Sequence, residues 1–349
     1  MEPWQLILQD SIVTLADLKK HLDCDSTALG EAIANFPLRI NPYFLKLIQS
    51  PGDPIWRQAV PDAAELQDGV CAVDPLAEEE LSPVPNLVHK YPDRVLFLVS
   101  NQCAMYCRFC TRKRKVGTAR MHISKETLAA GCEYLRNHPE VKEVLLSGGD
   151  PLLLADEQIG AILENLRAIP SVEIIRIGTR VPSVLPMRIT DRLVAILKAH
   201  HPLYINTHFN HPLEITKEAA TACTKLADAG IPLGCQTVLL KGVNDSAAVL
   251  KQLFQALLRI RVKPYYLFQA DLTRGTNHFR TTTETGIAIM RSLYGHISGM
   301  AVPTFALDAP GGKGKIPLTP QYILKKDKDL VFENYQGEVC TYPEAGEGV

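Results

Sequence analysis

The spacing of apolar positions changes near residue 93. Upstream, apolar residues recur at helical intervals in "SIVTLADLKKHL" and "STALGEAIANF", but "NPYF", "SPGDPIW", "DPLAEEE" and "LSPVPN" interrupt them. Prolines at that density permit only short helices laid against something else. Downstream, short runs rich in β-branched residues fall at 94–100, 143–149, 174–179, 203–209, 233–240 and 264–270, apolar on both faces as buried parallel strands are. Amphipathic helical stretches alternate with them: Ser124–Asn137, Asp156–Ala168, Thr190–His200, Ile215–Ala229, Ser246–Arg259 and Thr283–Leu293. Six strand–helix units with right-handed crossovers predict an α/β fold, and spacing alone fits either a doubly wound sheet or a partial (β/α)6 barrel. The polar motifs favour the barrel, because nearly all follow a strand, at the carboxyl rim where such folds carry their active sites. A further strand-like run, 301–307, brings "DAPGGKGKIP" toward the same rim. The expected organisation is an N-terminal helical segment (1–90), a barrel core (91–300) and a short C-terminal extension (301–349).

At 349 residues and 46% hydrophobic the chain can bury a large core. A formal net charge of -1 supplies no overall field for nucleic acid or an anionic membrane, so neither is expected as a partner. The first twenty residues lack a signal-peptide pattern, and no window reaches the ~20 continuous apolar residues of a membrane span. A cytoplasmic protein is expected.

Nine cysteines, an odd number thinly spread, do not form a secreted disulfide framework. Three of them, Cys103, Cys107 and Cys110, make a C-x3-C-x2-C pattern in "NQCAMYCRFCTRKRK". Structural zinc takes four ligands, and none lies at customary spacing, so zinc would need a distant fourth such as Cys132. An iron–sulfur cluster held by three thiolates instead keeps one iron open for a ligand. Of the basic run that follows, Lys113, Arg114 and Lys115 read as cluster-neighbour or surface charges rather than nucleic-acid contacts; a metal- or cluster-containing RNA-binding regulator is the rival class. Gly148-Gly149-Asp150 follows the second strand and by itself reads as a turn. In "DAPGGKGK" the glycines allow close backbone approach and can hold a lysine amine against an aldehyde or phosphate. It is not a P-loop, since Ile316 and Pro317 follow Lys315; alone, it reads equally well as a solvated loop.

Taken in order, "YPDRVLFLVSNQCAMYCRFCTRKR", "LLSGGDPL", "RIGTRVPSVLPMRIT", "INTHFNHP", "PYYLFQADL", "NHFRT" and "GMAVPTFALDAPGGKGK" resemble the lysine 2,3-aminomutase family of the radical S-adenosylmethionine superfamily. The resemblance runs from about Tyr91 to Pro320. It implies a 4Fe-4S cluster on Cys103, Cys107 and Cys110, S-adenosylmethionine at Gly148, Gly149 and Asp150, and pyridoxal phosphate bound to Lys315 as a Schiff base. It also implies that Arg112 pairs with the carboxylate of L-lysine, that Asp271 and Asp308 hold its ε-ammonium, and that Tyr91 and His208 contact pyridoxal phosphate. A grip on both ends specifies lysine over shorter amino acids, because either charge left unpaired in a dry site is costly. Related aminomutases acting on glutamate or β-lysine are the rivals within the class, as is action on lysine already attached to a protein or tRNA; an acidic substrate would want a cation where Asp271 and Asp308 stand. The chain stops soon after the lysine loop, and so is more like the short bacterial form that makes (R)-β-lysine for modification of translation elongation factor P. That implies functional links to this factor and its lysyl-transferring ligase, and a flavodoxin or ferredoxin as electron donor; oligomeric state stays open, a homo-oligomer included. Departures from the family pattern are Phe109 in place of His, Phe268 of Tyr, Ala270 of Cys, and Lys313 of a glycine. Register from Asp308 favours Lys315 over Lys313.

Overall fold

A computed structural model describes residues 2–23 and 27–345; Cys24 lies outside them. The strands are β1 (Leu87–Tyr91), β2 (Arg94–Ser100), β3 (Glu143–Gly148), β4 (Ile174–Gly178), β5 (Leu203–His208), β6 (Leu233–Leu239), β7 (Lys263–Gln269), β8 (Thr304–Asp308) and β9 (Lys315–Pro317). They form one sheet in sequence order, with β2 through β8 parallel and β1 and β9 antiparallel at its two edges. The sheet curls into a partial barrel that does not close. Helices Lys125–Arg136, Asp156–Arg167, Asp191–Lys198, Lys217–Asp228, Ala247–Arg259 and Thr283–Leu293 link the parallel strands. Their starts are set by side-chain caps, as where Ser124, Thr190, Thr216 and Thr282 each accept a backbone N–H from three residues ahead.

One expectation needs correcting. The strands are not buried on both faces: in β3, β4 and β6 buried residues alternate with half-buried ones. Val144, Leu146, Ile175, Ile177 and Ile205 pack into the main core with helix residues such as Leu135, Leu163, Leu193 and Leu226. Ser147, Glu143, Arg176, Asn206 and Gln236 lie on the other face, only half-buried, so the open barrel keeps a polar side. The sequence reading also passed over β1, β9 and a separate three-stranded antiparallel sheet, β10 (Ile323–Lys326), β11 (Asp329–Glu333) and β12 (Val339–Pro343).

The described N-terminal residues form the short helices Pro3–Gln9, Leu15–His21, Thr27–Asn35, Pro42–Leu45 and Pro54–Ala59, three of them with proline in the first turn, where its missing N–H costs nothing. Their own core includes Trp4, Leu18, Ile40, Phe44 and Ile55, and it takes in Ala104 and Met105 from the loop after β2, with Val184 and Leu185. Their backbone meets that loop too: the Tyr106 N–H donates to Arg39 O at 3.0 Å and the Arg108 N–H to Gln58 O at 2.9 Å. The segment therefore lies on the cysteine loop and fixes its path. Among the described residues no helix is long and apolar enough to cross a membrane.

Candidate active site

Because β2 through β8 are parallel, the loops after β2, β3, β4, β5 and β7 emerge at one rim, and they bring the polar motifs together. The cysteine loop begins at Ser100, where the end of β3 closes on it: the Gly149 N–H donates to Ser100 O and the Asp150 N–H to Gln102 O, each at 2.7 Å. Gly148 adopts φ +143°, and a Cβ there would sit 2.0 Å from Ser100 O; at Gly149 it would sit 2.3 Å from Gln102 O. The two glycines thus let backbone approach backbone beside Cys103. Arg108 donates to Glu65 at 2.8 and 2.5 Å, and the Lys113 amine donates to the same carboxylate at 2.9 Å, all deep inside the protein. Burial pulls Lys113 down to about 8 against the pull of Glu65. Lys113 is therefore no surface charge but an anchor of the cysteine loop.

The rest of the basic run meets acidic residues of the segment 74–79. Arg114 pairs with Asp74 at 2.9 Å and Glu79 at 2.7 Å, and Lys115 with Glu79 at 3.1 Å. Arg112 holds Glu78, its Nε at 2.8 and 3.0 Å from the two carboxylate oxygens and its Nη2 at 2.6 Å from Oε1. Burial would raise Glu78, but Arg112, Lys115 and Arg114 overcome it and bring it to about 2. Each cation of the run thus has a carboxylate at close range. The sequence reading missed these acidic partners, although "DPLAEEE" was the available signal.

Asp150 does not present a free carboxylate. Its Oδ1 accepts from Thr179 Oγ1 at 2.7 Å and the Leu152 N–H at 3.1 Å, and its Oδ2 accepts from the Arg180 N–H at 2.8 Å. It fixes the turn after β4, which aims Arg180 inward. Arg180 Nη1 donates to Cys107 Sγ at 2.8 Å, while its Nη2 donates to Glu214 at 3.0 Å and Gln58 at 2.5 Å. Glu214 is wholly buried and also accepts from Ser183, Gln58 and the N–H groups of Asn210 and His211. Sequence reasoning did not find this network. His208, expected near pyridoxal phosphate, stands on the cysteine side: its ring lies 5.5 Å from that of Phe109, and its Nε2 is 3.0 Å from Asn210 Oδ1. Burial, with Arg180 nearby, holds its imidazole down at about 3, so it is neutral in the physiological range.

The lysine loop is a hairpin. β8 and β9 pair antiparallel so that Asp308 faces Lys315 across the strands. The Lys315 amine lies 3.1 Å from Asp308 Oδ1 and 5.2 Å from the centre of the Phe268 ring, and the Lys315 N–H donates to the Tyr91 hydroxyl at 3.2 Å. Lys90 lies 3.4 Å from the same Asp308 oxygen. Asp271 and Asp308 both line a cavity of about 380 Å³ with Gln269, Arg280 and Pro310. Burial, then the charge of Asp308, lifts Asp271 to about 7. Tyr91, Lys315, Asp308 and Asp271 thus cohere, and β1, missed in the sequence, is what carries Tyr91 there.

These residues suit the expected cofactors. Burial, then Asp150, Cys110 and Cys107, pushes the Cys103 thiol well above its ordinary range, and burial lifts Cys110 to about 11. Thiols so crowded with negative neighbours are ones that a cationic cluster stabilises as thiolates. Among the described residues no three Cys, His, Asp or Glu side chains converge on a position that could hold a metal ion. On the other side, the Lys315 side chain is one-third exposed with its amine beside the Phe268 ring, open to an aromatic aldehyde.

A family model described as Radical SAM superfamily matches residues 97–253, and one described as Lysine-2,3-aminomutase matches residues 290–349. An L-lysine 2,3-aminomutase of Clostridium subterminale is 47% identical over 348 residues, covering 98% of this chain and 84% of that protein. One from Methanococcus maripaludis is 49% identical over 98% of this chain and 81% of its own. A glutamate 2,3-aminomutase of Clostridioides difficile is 45% identical over 94% of this chain and 77% of its own.

Proposed function

The chain belongs to the lysine 2,3-aminomutase family of the radical S-adenosylmethionine superfamily and is an isomerase served by a 4Fe-4S cluster, S-adenosylmethionine and pyridoxal phosphate; from that premise we propose that it converts L-α-lysine to β-lysine. The observation that carries the substrate is the pair Asp271 and Asp308 lining one cavity, with Asp271 held at about 7 until a cation arrives. When bound, the cluster and S-adenosylmethionine supply a hydrogen-abstracting adenosyl radical, and pyridoxal phosphate carries the migrating nitrogen.

In this reading Cys103, Cys107 and Cys110 hold the cluster and Lys315 binds pyridoxal phosphate beside Tyr91. The backbone of Gly148 and Gly149 faces S-adenosylmethionine, while Asp150 acts through the β4 turn that it fixes. His208, with Phe109, is better suited to the cluster side than to pyridoxal phosphate. Were Lys315 to hold pyridoxal phosphate, its amine would not be free to pair with Asp308 as it does here. Asp271, Asp308 and Glu284 would then face Arg280 and Lys90, leaving one net negative charge that suits an ammonium and repels a second carboxylate. This favours lysine over glutamate. Arg112 takes the α-carboxylate in a bidentate grip. Held at both ends, the reacting carbons have little freedom.

On resemblance alone we extend the proposal to the R enantiomer and to supply of β-lysine for elongation factor P through its ligase, with a flavodoxin or ferredoxin as reductant. The test is anaerobic: protein reconstituted with iron, sulfide and pyridoxal phosphate is given S-adenosylmethionine, a reductant, and either L-lysine or L-glutamate, and the products are resolved by chiral chromatography. (R)-β-lysine supports the whole reading. (S)-β-lysine removes the elongation factor P route, and β-glutamate removes the substrate.

A further inference from the structure

The segment 72–82 crosses the rim between the two halves of the site. The Ala72 N–H donates to Leu272 O at 2.8 Å and the Arg274 N–H to Ala72 O at 2.9 Å, which ties the segment to the loop bearing Asp271. The Gly311 N–H donates to Pro75 O at 2.8 Å, which ties it to the lysine hairpin. A Cβ on Gly312 would meet Leu81 at 2.4 Å and Leu76 O at 2.8 Å, so the hairpin lies flat on it. Glu78 projects from this strap toward the third element, the cysteine loop, and is 4% exposed.

We propose that Glu78 is a positioning residue for substrate binding: it grips the Nε and Nη2 edge of Arg112 and so presents the remaining edge of the guanidinium to the substrate carboxylate. The proposal rests on the reading of Arg112 given above and deepens it. Nη1, on the edge left over, lies only 3.4 Å from Ser147 Oγ and from Gly148 O at the end of β3. Those two contacts are too long and neutral to hold a charged, flexible side chain. Among the described residues Arg112 pairs with no carboxylate other than Glu78. Arg114 and Lys115, in contrast, also have Glu79, so the strap does not need Glu78 for its attachment. The strap's ties to the Asp271 loop and the lysine hairpin also mean that the two substrate-binding ends are set relative to each other through one short segment.

The experiment compares the reconstituted holoenzyme with its Glu78→Gln, Glu78→Asp and Glu79→Gln variants. Steady-state constants are measured for L-lysine, with inhibition constants for L-lysinamide, which lacks the anionic carboxylate. Glu78→Gln should raise KM for lysine about tenfold, equivalent to about 1.4 kcal/mol, with kcat nearly unchanged. It should shift lysinamide inhibition less than twofold, and Glu79→Gln should change neither. A parallel rise for lysine and lysinamide, or no rise for lysine, overturns the proposal. If the Gln variant does not load its cluster, Glu78→Asp serves instead, its shorter carboxylate giving an intermediate rise in lysine KM alone. A second readout needs no turnover: labelling of Arg112 by phenylglyoxal, followed by peptide mass spectrometry, should be faster in Glu78→Gln. An unchanged labelling rate sinks the proposal even if the substrate is not lysine. Faster labelling with no lysine turnover in the wild type would uphold it and remove only the substrate assignment.

Discussion

Replacing Asp271 with Asn should make the protein more stable and less active, and both effects should depend on pH. Burial and Asp308 lift this carboxyl to about 7. By the usual conversion, ionising it in place costs up to about 4 kcal/mol relative to the unfolded chain. Water at the cavity mouth screens part of that, leaving roughly 2–4 kcal/mol. A raised folded pKa means that the unfolded chain gives up this proton first. The group therefore subtracts stability progressively as pH climbs from about 4 to about 7, and the loss is complete above that. Asn removes the loss. For 349 residues the unfolding entropy is about 0.7 kcal/mol/K, so Tm of cofactor-free protein should rise by roughly 3–6 °C at pH 8. The gain should shrink toward pH 5. Activity runs the opposite way, because an ammonium requires the ionised carboxylate. Wild-type kcat/KM for lysine should increase about tenfold from pH 6 to pH 8, tracking the free enzyme. In Asp271→Asn it should fall by about 10²-fold, the worth of one charged partner left out of a dry site, and lose that pH dependence. The assays are scanning calorimetry of the cofactor-free protein and initial rates of the reconstituted enzyme. A variant that keeps the wild-type pH profile, or one that melts no higher than wild type at pH 8, would refute the reasoning.

Lys315→Ala should retain no pyridoxal phosphate after borohydride reduction, as read by intact mass, while Lys313→Ala retains it; the reverse outcome would shift the assignment by two residues. Gly149→Ala forces a Cβ to 2.3 Å from Gln102 O, and backbone cannot yield there without moving the start of the cysteine loop. Iron content after reconstitution should drop several-fold, with a stability loss of about 2 kcal/mol or more in chemical denaturation. Arg180→Met strands the Glu214 carboxylate in a fully buried site and removes the donor to Cys107. It should cost about 3–5 kcal/mol, and a variant within 1 kcal/mol of wild type would show that the network is not holding the charge.

The alternation of strand and helix from Arg94 to Leu293 was legible in the chain because it depends on contacts close in sequence: apolar runs, capping residues and turn glycines act within a few positions. The spacing of Cys103, Cys107 and Cys110 was legible for the same reason. Right-handed crossovers fit either a doubly wound sheet or an open barrel, and it was the polar motifs at the strand ends that favoured the barrel without distances. What the sequence did not determine is which charges meet. Glu78 and Arg112 are 34 residues apart, Arg180 and Cys107 73, and Gln58 and Glu214 156, and no local pattern marks such pairs. Composition alone left Arg112 to Lys115 as a bare basic run; only the fold lays the acidic strap on it. In the same way "GGD" gave the glycines but not the commitment of Asp150 to the β4 turn, and a histidine at the end of β5 could be counted but not assigned to the Phe109 side. The short β1, β9 and β10 to β12 escaped notice because antiparallel strands of three to five residues are stabilised by their neighbours rather than by their own sequence. Periodicity fixes what a segment becomes, whereas the ionisation of Asp271 or Glu78 depends on what surrounds it, and that is settled only when distant segments pack.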